Sequence, residues 1–214
     1  MTSTPKLRIA VLGSGTGSNA RALCRACAEN DLAYSVALIV STSEKAGICD
    51  VAHEERVSLA ILEPPNNGKP LADALEQVIC EHAIDVLVLA GFMRLLPQKT
   101  IDVLHGRVLN IHPALLPDFG GQGMFGIHVH EAVIASGATE TGATIHVVTG
   151  DYDKGEILAQ SKIRLLPGES STDLQARVKT IEHSLYPAAV DTYVRSLLPF
   201  LADSQKSGSK PVFS

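Results

Sequence analysis

Apolar residues in this chain come in short blocks separated by longer amphipathic stretches. Runs rich in Val, Ile and Leu at 7–12, 35–41, 59–62, 84–90 and 107–111 predict strands. Several are apolar throughout instead of alternating, which is the pattern of strands covered on both faces and therefore of parallel strands joined by crossover helices. Helical spacing over about 18–29, 46–55, 71–82 and a short 97–104 supplies those crossovers. The order βαβαβ predicts a single-domain α/β fold built on a doubly wound, mostly parallel open sheet.

Beyond Asp118 the pattern changes. Gly120, Gly121, Gly123 and Gly126 surround Gln122, Met124 and Phe125, predicting a mobile loop before a helix over 128–135. Met124 and Phe125 read as anchors of that loop, with a lid role open to them. Strands are expected at 144–149 and 157–165, joined by the turn-rich Gly150-Asp151-Tyr152-Asp153-Lys154-Gly155. Ser171-Thr172-Asp173 then opens a long helix reaching about Leu201. One domain over 1–203 is expected, followed by a flexible tail at 204–214.

A chain of 214 residues can bury one substantial core. Its net charge of -5, with 18 Lys and Arg scattered along it, gives no footprint for nucleic acid. No apolar run approaches the roughly 20 residues needed to span a bilayer. The expectation is a cytoplasmic protein without a nucleic-acid or membrane partner, monomeric or homodimeric. Cys24, Cys27, Cys49 and Cys80 are too few and dispersed for a disulfide scaffold. Cys24 and Cys27 fall inside a predicted helix with no second ligand pair, and read as packing residues. His128 and His130, two apart at a helix start, should diverge instead of sharing a metal.

Two segments carry candidate chemistry. The turn Gly13-Ser14-Gly15-Thr16-Gly17-Ser18-Asn19 follows the first strand and opens the first helix, where exposed N–H groups and the helix dipole favour a phosphate. Serine at 18 breaks the glycine fingerprint of dinucleotide binding, and no acidic residue closes the second strand to hold a ribose, which favours a single phosphate over NAD. In Asn110-Ile111-His112-Pro113, the amide and imidazole lie two apart at the end of a strand and so aim to one side. Pro113 and Pro117 stop the strand there. Such a pair suits a carbonyl whose oxygen gains charge: an amide to donate and an imidazole to exchange a proton near neutral pH. Alone, an Asn-x-His pair is more often a cap and a structural histidine.

Taken together with Leu89-Ala90-Gly91-Phe92-Met93-Arg94-Leu95-Leu96, Asp153, and Glu182-His183 with Tyr186-Pro187, these segments occur in an order that is far more specific than any one of them. Over about 7–198 the chain resembles the phosphoribosylglycinamide formyltransferases, folate-dependent enzymes of purine synthesis with a Rossmann-like fold. The resemblance implies formyl transfer from 10-formyltetrahydrofolate to the amino group of glycinamide ribonucleotide, with neither metal nor nicotinamide required. By it, Gly17, Ser18 and Asn19 hold the nucleotide phosphate, and Lys179 and Glu182 face the remainder of the nucleotide. Met93, Arg94, Leu95 and Leu96 line the folate pocket, and Thr149, Gly150, Asp151, Tyr152 and Asp153 close its other side. Asn110, His112 and Asp153 are the implied catalytic set, with Asp153 favouring the imidazolium of His112.

The chain departs from the family pattern in three places. The segment 118–127 is longer and richer in glycine than in the best-known members. Gly68-Lys69 stands where some relatives have an arginine near the folate tail, leaving Lys69 as a candidate substitute. Gly150 replaces an acidic residue. His146 and His183 read as packing residues near the site. Rival readings of the same chemistry are methionyl-tRNA formyltransferase, formyltetrahydrofolate hydrolase and sugar-nucleotide formyltransferases. The first normally carries an extra basic domain after the shared part and the second a domain before it; the third is not expected to carry Gly-Ser-Asn in the first turn. A non-catalytic nucleotide-binding module is expected to have lost part of the Asn110, His112 and Asp153 set.

Overall fold

A computed structural model describes residues 6–63 and 69–207. Seven strands form one sheet in the order β3-β2-β1-β4-β5-β6-β7. The chain runs β1 (Leu7–Gly13), α1 (Ser18–Glu29), β2 (Tyr34–Ser41), α2 (Ile48–Glu54), β3 (Ser58–Ile61), α3 (Leu71–Glu81), β4 (Val86–Leu89), α4 (Gln98–Val103) and β5 (Val108–His112). It continues with α5 (Ile127–Ala135), β6 (Glu140–Val147), β7 (Ile157–Arg164) and α6 (Ser171–Ser207). Strands β1 to β5 are parallel to their neighbours, while β6 is antiparallel to both β5 and β7. The expected open, mostly parallel sheet is therefore present.

Strand β1 shows why its apolar run does not alternate. Ile9 and Val11 enter one core with α1, α2 and α6, whereas Ala10 and Leu12 enter a second core with α3 and α4. All four are fully buried. Each large aliphatic side chain taken out of water in this way contributes about 1.5–3 kcal/mol, so both faces must be covered. A third, smaller cluster holds α5 and α6 against β6 through Val129, Val133, Ala143, Leu174 and Val178.

The chain builds β2 and β3 on one side of β1 and then crosses to build β4 and β5 on the other. This reversal opens a crevice beyond the carboxyl ends of β1 and β4, where open α/β sheets receive ligands. Helix α6 closes it from the side. Its start is capped by Ser170, whose Oγ accepts the Asp173 N–H at 3.1 Å. The Tyr186 hydroxyl, fully buried on α6, donates to the Leu89 carbonyl at 2.8 Å, tying the helix to the end of β4.

Two boundaries differ substantially from expectation. Strand β6 begins at Glu140, four residues earlier than predicted, because pairing with β7 extends through Glu140 opposite Arg164. Gly142 weakens the strand signal but is required there: a Cβ would lie 1.8 Å from the Ser161 carbonyl oxygen. Helix α6 continues through Ser207, despite Pro187 and Pro199 within it, so the expected tail is helical over 204–207. Residues 208–214 of that tail lie outside the described residues. Among the described residues, no helix is long and apolar enough to cross a membrane. All four cysteines are free, and burial pushes the Cys24 thiol up to about 12, making it a packing group.

Candidate active site

The crevice is a cleft of about 520 Å³. At its centre lie Asn110 and His112 from β5, His146 from β6 and Asp153 from the turn after β6. Asn110 pairs in register with His146, and His112 with Thr144, so the antiparallel ladder sets two histidines and an amide on adjoining strands.

Asp153 joins them. Its Oδ2 lies 3.6 Å from His112 Nδ1 and accepts the Gly121 N–H at 2.9 Å, while Oδ1 lies 3.4 Å from His146 Nε2. The residue adopts a left-handed backbone with φ +52°, sparsely populated by side-chain-bearing residues although aspartate tolerates it better than most. Strain held at a half-buried carboxylate between two imidazoles is a mark of a functional position. Burial works to raise the Asp153 carboxyl, but the His146 ring beside Oδ1, the Gly121 N–H and the His112 ring outweigh it and hold the group below the ordinary carboxylate value.

The ring hydrogens follow from the partners. His112 Nε2 is 2.8 Å from the Phe119 carbonyl oxygen, which can only accept, so Nε2 carries a hydrogen. In the neutral ring Nδ1 is then a bare lone pair facing Asp153, and a proton gained there is held between imidazole and carboxylate. His146 Nδ1 likewise donates to the Val147 carbonyl at 2.9 Å, leaving Nε2 to accept the Asn110 amide at 3.0 Å. Burial pushes His112 below its ordinary value; Asp153 and the Phe119 carbonyl push upward without overcoming it, and His146 adds to the lowering. Asp153 therefore pulls His112 toward the imidazolium, as expected of it, but burial outweighs that pull. In the open cleft the buried ring, only 3% exposed, favours the neutral form.

One end of the cleft is polar. Gly17, Ser18 and Asn19 form the entry to α1, where Gly17 has φ +77° and a Cβ would come within 2.7 Å of the Ile48 backbone. The first turn of α1 offers N–H groups that its own helix cannot satisfy. Asn19 Nδ2 donates to Glu182 Oε2 at 2.8 Å, while Asn19 Oδ1 is buried with no hydrogen-bond partner among the described residues. Burial raises Glu182 above the ordinary carboxylate value, against the pull of the Asn19 amide and Lys179. Lys179, one turn before Glu182, lines the same end. The other end is more apolar, with Met93 and Leu95 exposed, Leu96 buried beneath them, and Arg94, Thr149, Asp151 and Tyr152 around the rim.

A cleft with an anion-suited helix entry, a central amide, imidazole and carboxylate, and an apolar far wall has a counterpart among known proteins: residues 7–190 match the family described as formyl transferase. The chain belongs to this family. It is 33% identical to Escherichia coli phosphoribosylglycinamide formyltransferase over 193 residues, covering 87% of each chain. It is 37% identical over 188 residues to the chloroplastic phosphoribosylglycinamide formyltransferase of Arabidopsis thaliana, covering 86% of this chain and 64% of that protein. Against the human trifunctional purine biosynthetic protein adenosine-3 the identity is 35%, with the chain spanning 18% of that much longer protein. The chain thus spans less than two thirds of these plant and animal relatives. The solved glycinamide ribonucleotide transformylase 1 of Symbiobacterium toebii superposes with a TM-score of 0.82 at 30% identity, over 89% of both chains. A formyltetrahydrofolate deformylase from Pseudomonas syringae shares the fold, with a TM-score of 0.80 at 21% identity.

Within this family fold, fifteen of the sixteen residues that the resemblance assigns to catalysis or binding, leaving aside the candidate Lys69, line the cleft. Gly150 does not; it turns toward α4, where a Cβ would lie 2.8 Å from Gln98 Oε1. Lys69, the candidate for the folate tail, is exposed, bonds Gln77 Oε1 at 3.0 Å and is not part of the cleft lining. His128 is exposed beside Glu131 while His130 is buried and lines the cleft, so the pair diverges. His146, expected only to pack near the site, contacts both Asn110 and Asp153. The only sequence signal for it was its place in an apolar strand, where a histidine needs partners.

Proposed function

We propose that this chain transfers a formyl group from 10-formyltetrahydrofolate to the amino group of glycinamide ribonucleotide, a step of purine synthesis. The observation that carries this reading is the meeting of Asn110, His112 and Asp153 in one cleft with a phosphate-suited helix entry and an apolar wall. The nucleotide phosphate sits at Gly17, Ser18 and Asn19, with Lys179 and Glu182 toward its ribose and glycinamide portion. The pterin lies along Met93, Arg94, Leu95 and Leu96, with residues 149–153 on its other side.

When the amine attacks the formyl carbon, the carbonyl oxygen becomes negative, and the Asn110 amide donates to it. The Asn110 amide has two N–H groups, so one can serve the oxygen while the other stays on His146 Nε2. The amine must lose a proton and the departing nitrogen must gain one. Neutral His112 takes the proton at Nδ1, where Asp153 stabilises the imidazolium, and returns it to the leaving nitrogen directly or through water. Burial that keeps His112 neutral before substrates arrive thus prepares it as a base, and the adjoining carboxylate stabilises the charged form only once the proton is transferred.

Formyltetrahydrofolate hydrolysis is the alternative within the fold. Asn19, Lys179 and Glu182 favour transfer, because a reaction with water has no need of a second polar subsite. The test follows absorbance of the folate product with glycinamide ribonucleotide present and absent. Product only with the nucleotide supports transfer; equal rates without it indicate hydrolysis, and no product in either case overturns the reading.

A further inference from the structure

The loop after His112 is held from the far edge of the sheet. In register across three strands, His112 on β5 faces Thr144 on β6, and Thr144 faces Gln160 on β7. Thr144 Oγ1 is fully buried and donates to the Ala114 carbonyl at 2.7 Å while accepting the Leu116 N–H at 3.1 Å. Gln160 Nε2 supplies the remaining bonds, donating to Thr144 Oγ1 at 3.0 Å and to the Leu116 carbonyl at 2.9 Å. The threonine hydroxyl thus uses its one donor and both acceptor positions, and Leu116 has both backbone groups engaged.

Leu116 passes this constraint to the reacting groups. Its Cδ2 lies so close to Gly120 that a Cβ there would come within 2.6 Å of it and 3.2 Å of Asp153 Cβ. Phe119, just before Gly120, supplies the carbonyl bonded to His112 Nε2, and Gly121, just after, supplies the N–H bonded to Asp153 Oδ2. Resting on the formyl-transfer reading, we propose that Gln160, acting through Thr144 and Leu116, is a positioning residue that sets His112 and Asp153 in their mutual geometry. It lies outside the cleft lining and touches neither reacting group. An apolar replacement leaves the Leu116 carbonyl and Thr144 hydroxyl short of a partner, and the loop shifts to recover one.

The test compares Gln160→Leu, Thr144→Val, Thr144→Ser and the Gln160→Leu/Thr144→Val double variant in the full chain. Gln160→Leu should lower kcat by about 10- to 100-fold, since displacement of reacting groups by an ångström costs that much, with KM for both substrates within about threefold. Thr144→Ser should recover most of what Thr144→Val loses. The double variant should fall no more than about threefold below the worse single one, because both break one network. A folded Gln160→Leu protein with kcat within about twofold of the parent, or one in which only KM rises, overturns the proposal. His112 imidazole resonances, assigned against His112→Asn, separate this from the function itself. Should the unsubstituted protein not turn over, formyl transfer falls and the spectrum decides alone. A changed His112 signal in Gln160→Leu supports positioning, and an unchanged one overturns it.

Discussion

Replacing Asp153 by asparagine isolates the charge that the account assigns to proton transfer. The amide keeps the carboxylate's size, and its oxygen can still accept the Gly121 N–H while its nitrogen faces His146 Nε2, which accepts when that ring is neutral. Charge is what disappears. Across the 3.6 Å between His112 Nδ1 and Asp153 Oδ2, Coulomb attraction is about 4 to 5 kcal/mol at an effective dielectric constant of about 20, and half that if water doubles the constant. Since imidazolium forms only as the reaction proceeds, that loss raises the barrier and leaves substrate binding nearly untouched. The expected result is kcat lower by about 10²- to 10³-fold with KM changed by less than about threefold. Steady-state turnover with both substrates varied in turn, alongside thermal unfolding to show an intact fold, measures it. A folded Asp153→Asn protein retaining kcat within about fivefold of the parent would refute the role, as would a loss expressed wholly in KM.

Two further outcomes follow from the ends of the cleft. Glu182→Gln keeps the contact with Asn19 but removes the charge, so KM for the nucleotide should rise about tenfold or more while KM for the formyl donor holds; equal rises in both would place Glu182 in the frame of the fold instead. Burial, with help from Lys179 and His112, lowers His130 to about 4, below the ordinary 6.5 of the unfolded chain. The unfolded chain therefore takes up this proton first, and stability falls as pH drops from 6.5 toward 4, by about 3 kcal/mol for this group alone. Urea unfolding at pH 7 and pH 4.5 should show a smaller acid loss in His130→Gln than in the parent; identical losses would contradict it.

What could be read in advance depended on how local its cause was. The apolar runs at 7–12 and 107–111 announced buried parallel strands because covering both faces leaves no polar alternation. Asn110 and His112 could be paired because a spacing of two on a strand is a local rule. Asp153 had no such signature: a carboxylate before Lys-Gly reads as an ordinary turn residue, and only the family resemblance singled it out. His146 and Gln160 owe their places to the register of β6 against β5 and β7, which is decided by tertiary packing and leaves no mark at a fixed sequence spacing. Gly150 illustrates the reverse, being assigned to the cleft with its neighbours in the turn although the backbone directs it toward Gln98. The neutral bias of His112 was hidden for a related reason, since the adjoining carboxylate could be anticipated but the depth of burial that outweighs it could not.

The most direct test supplies a formyl donor labelled with carbon-13 at the formyl carbon and follows the label by NMR in the parent and in folded His112→Ala. The account predicts label arriving on the nucleotide amine in the parent, with transfer reduced by about 10²- to 10⁴-fold in the variant. Label released as formate at the same rate with or without nucleotide, or transfer by His112→Ala at near the parent rate, would contradict it.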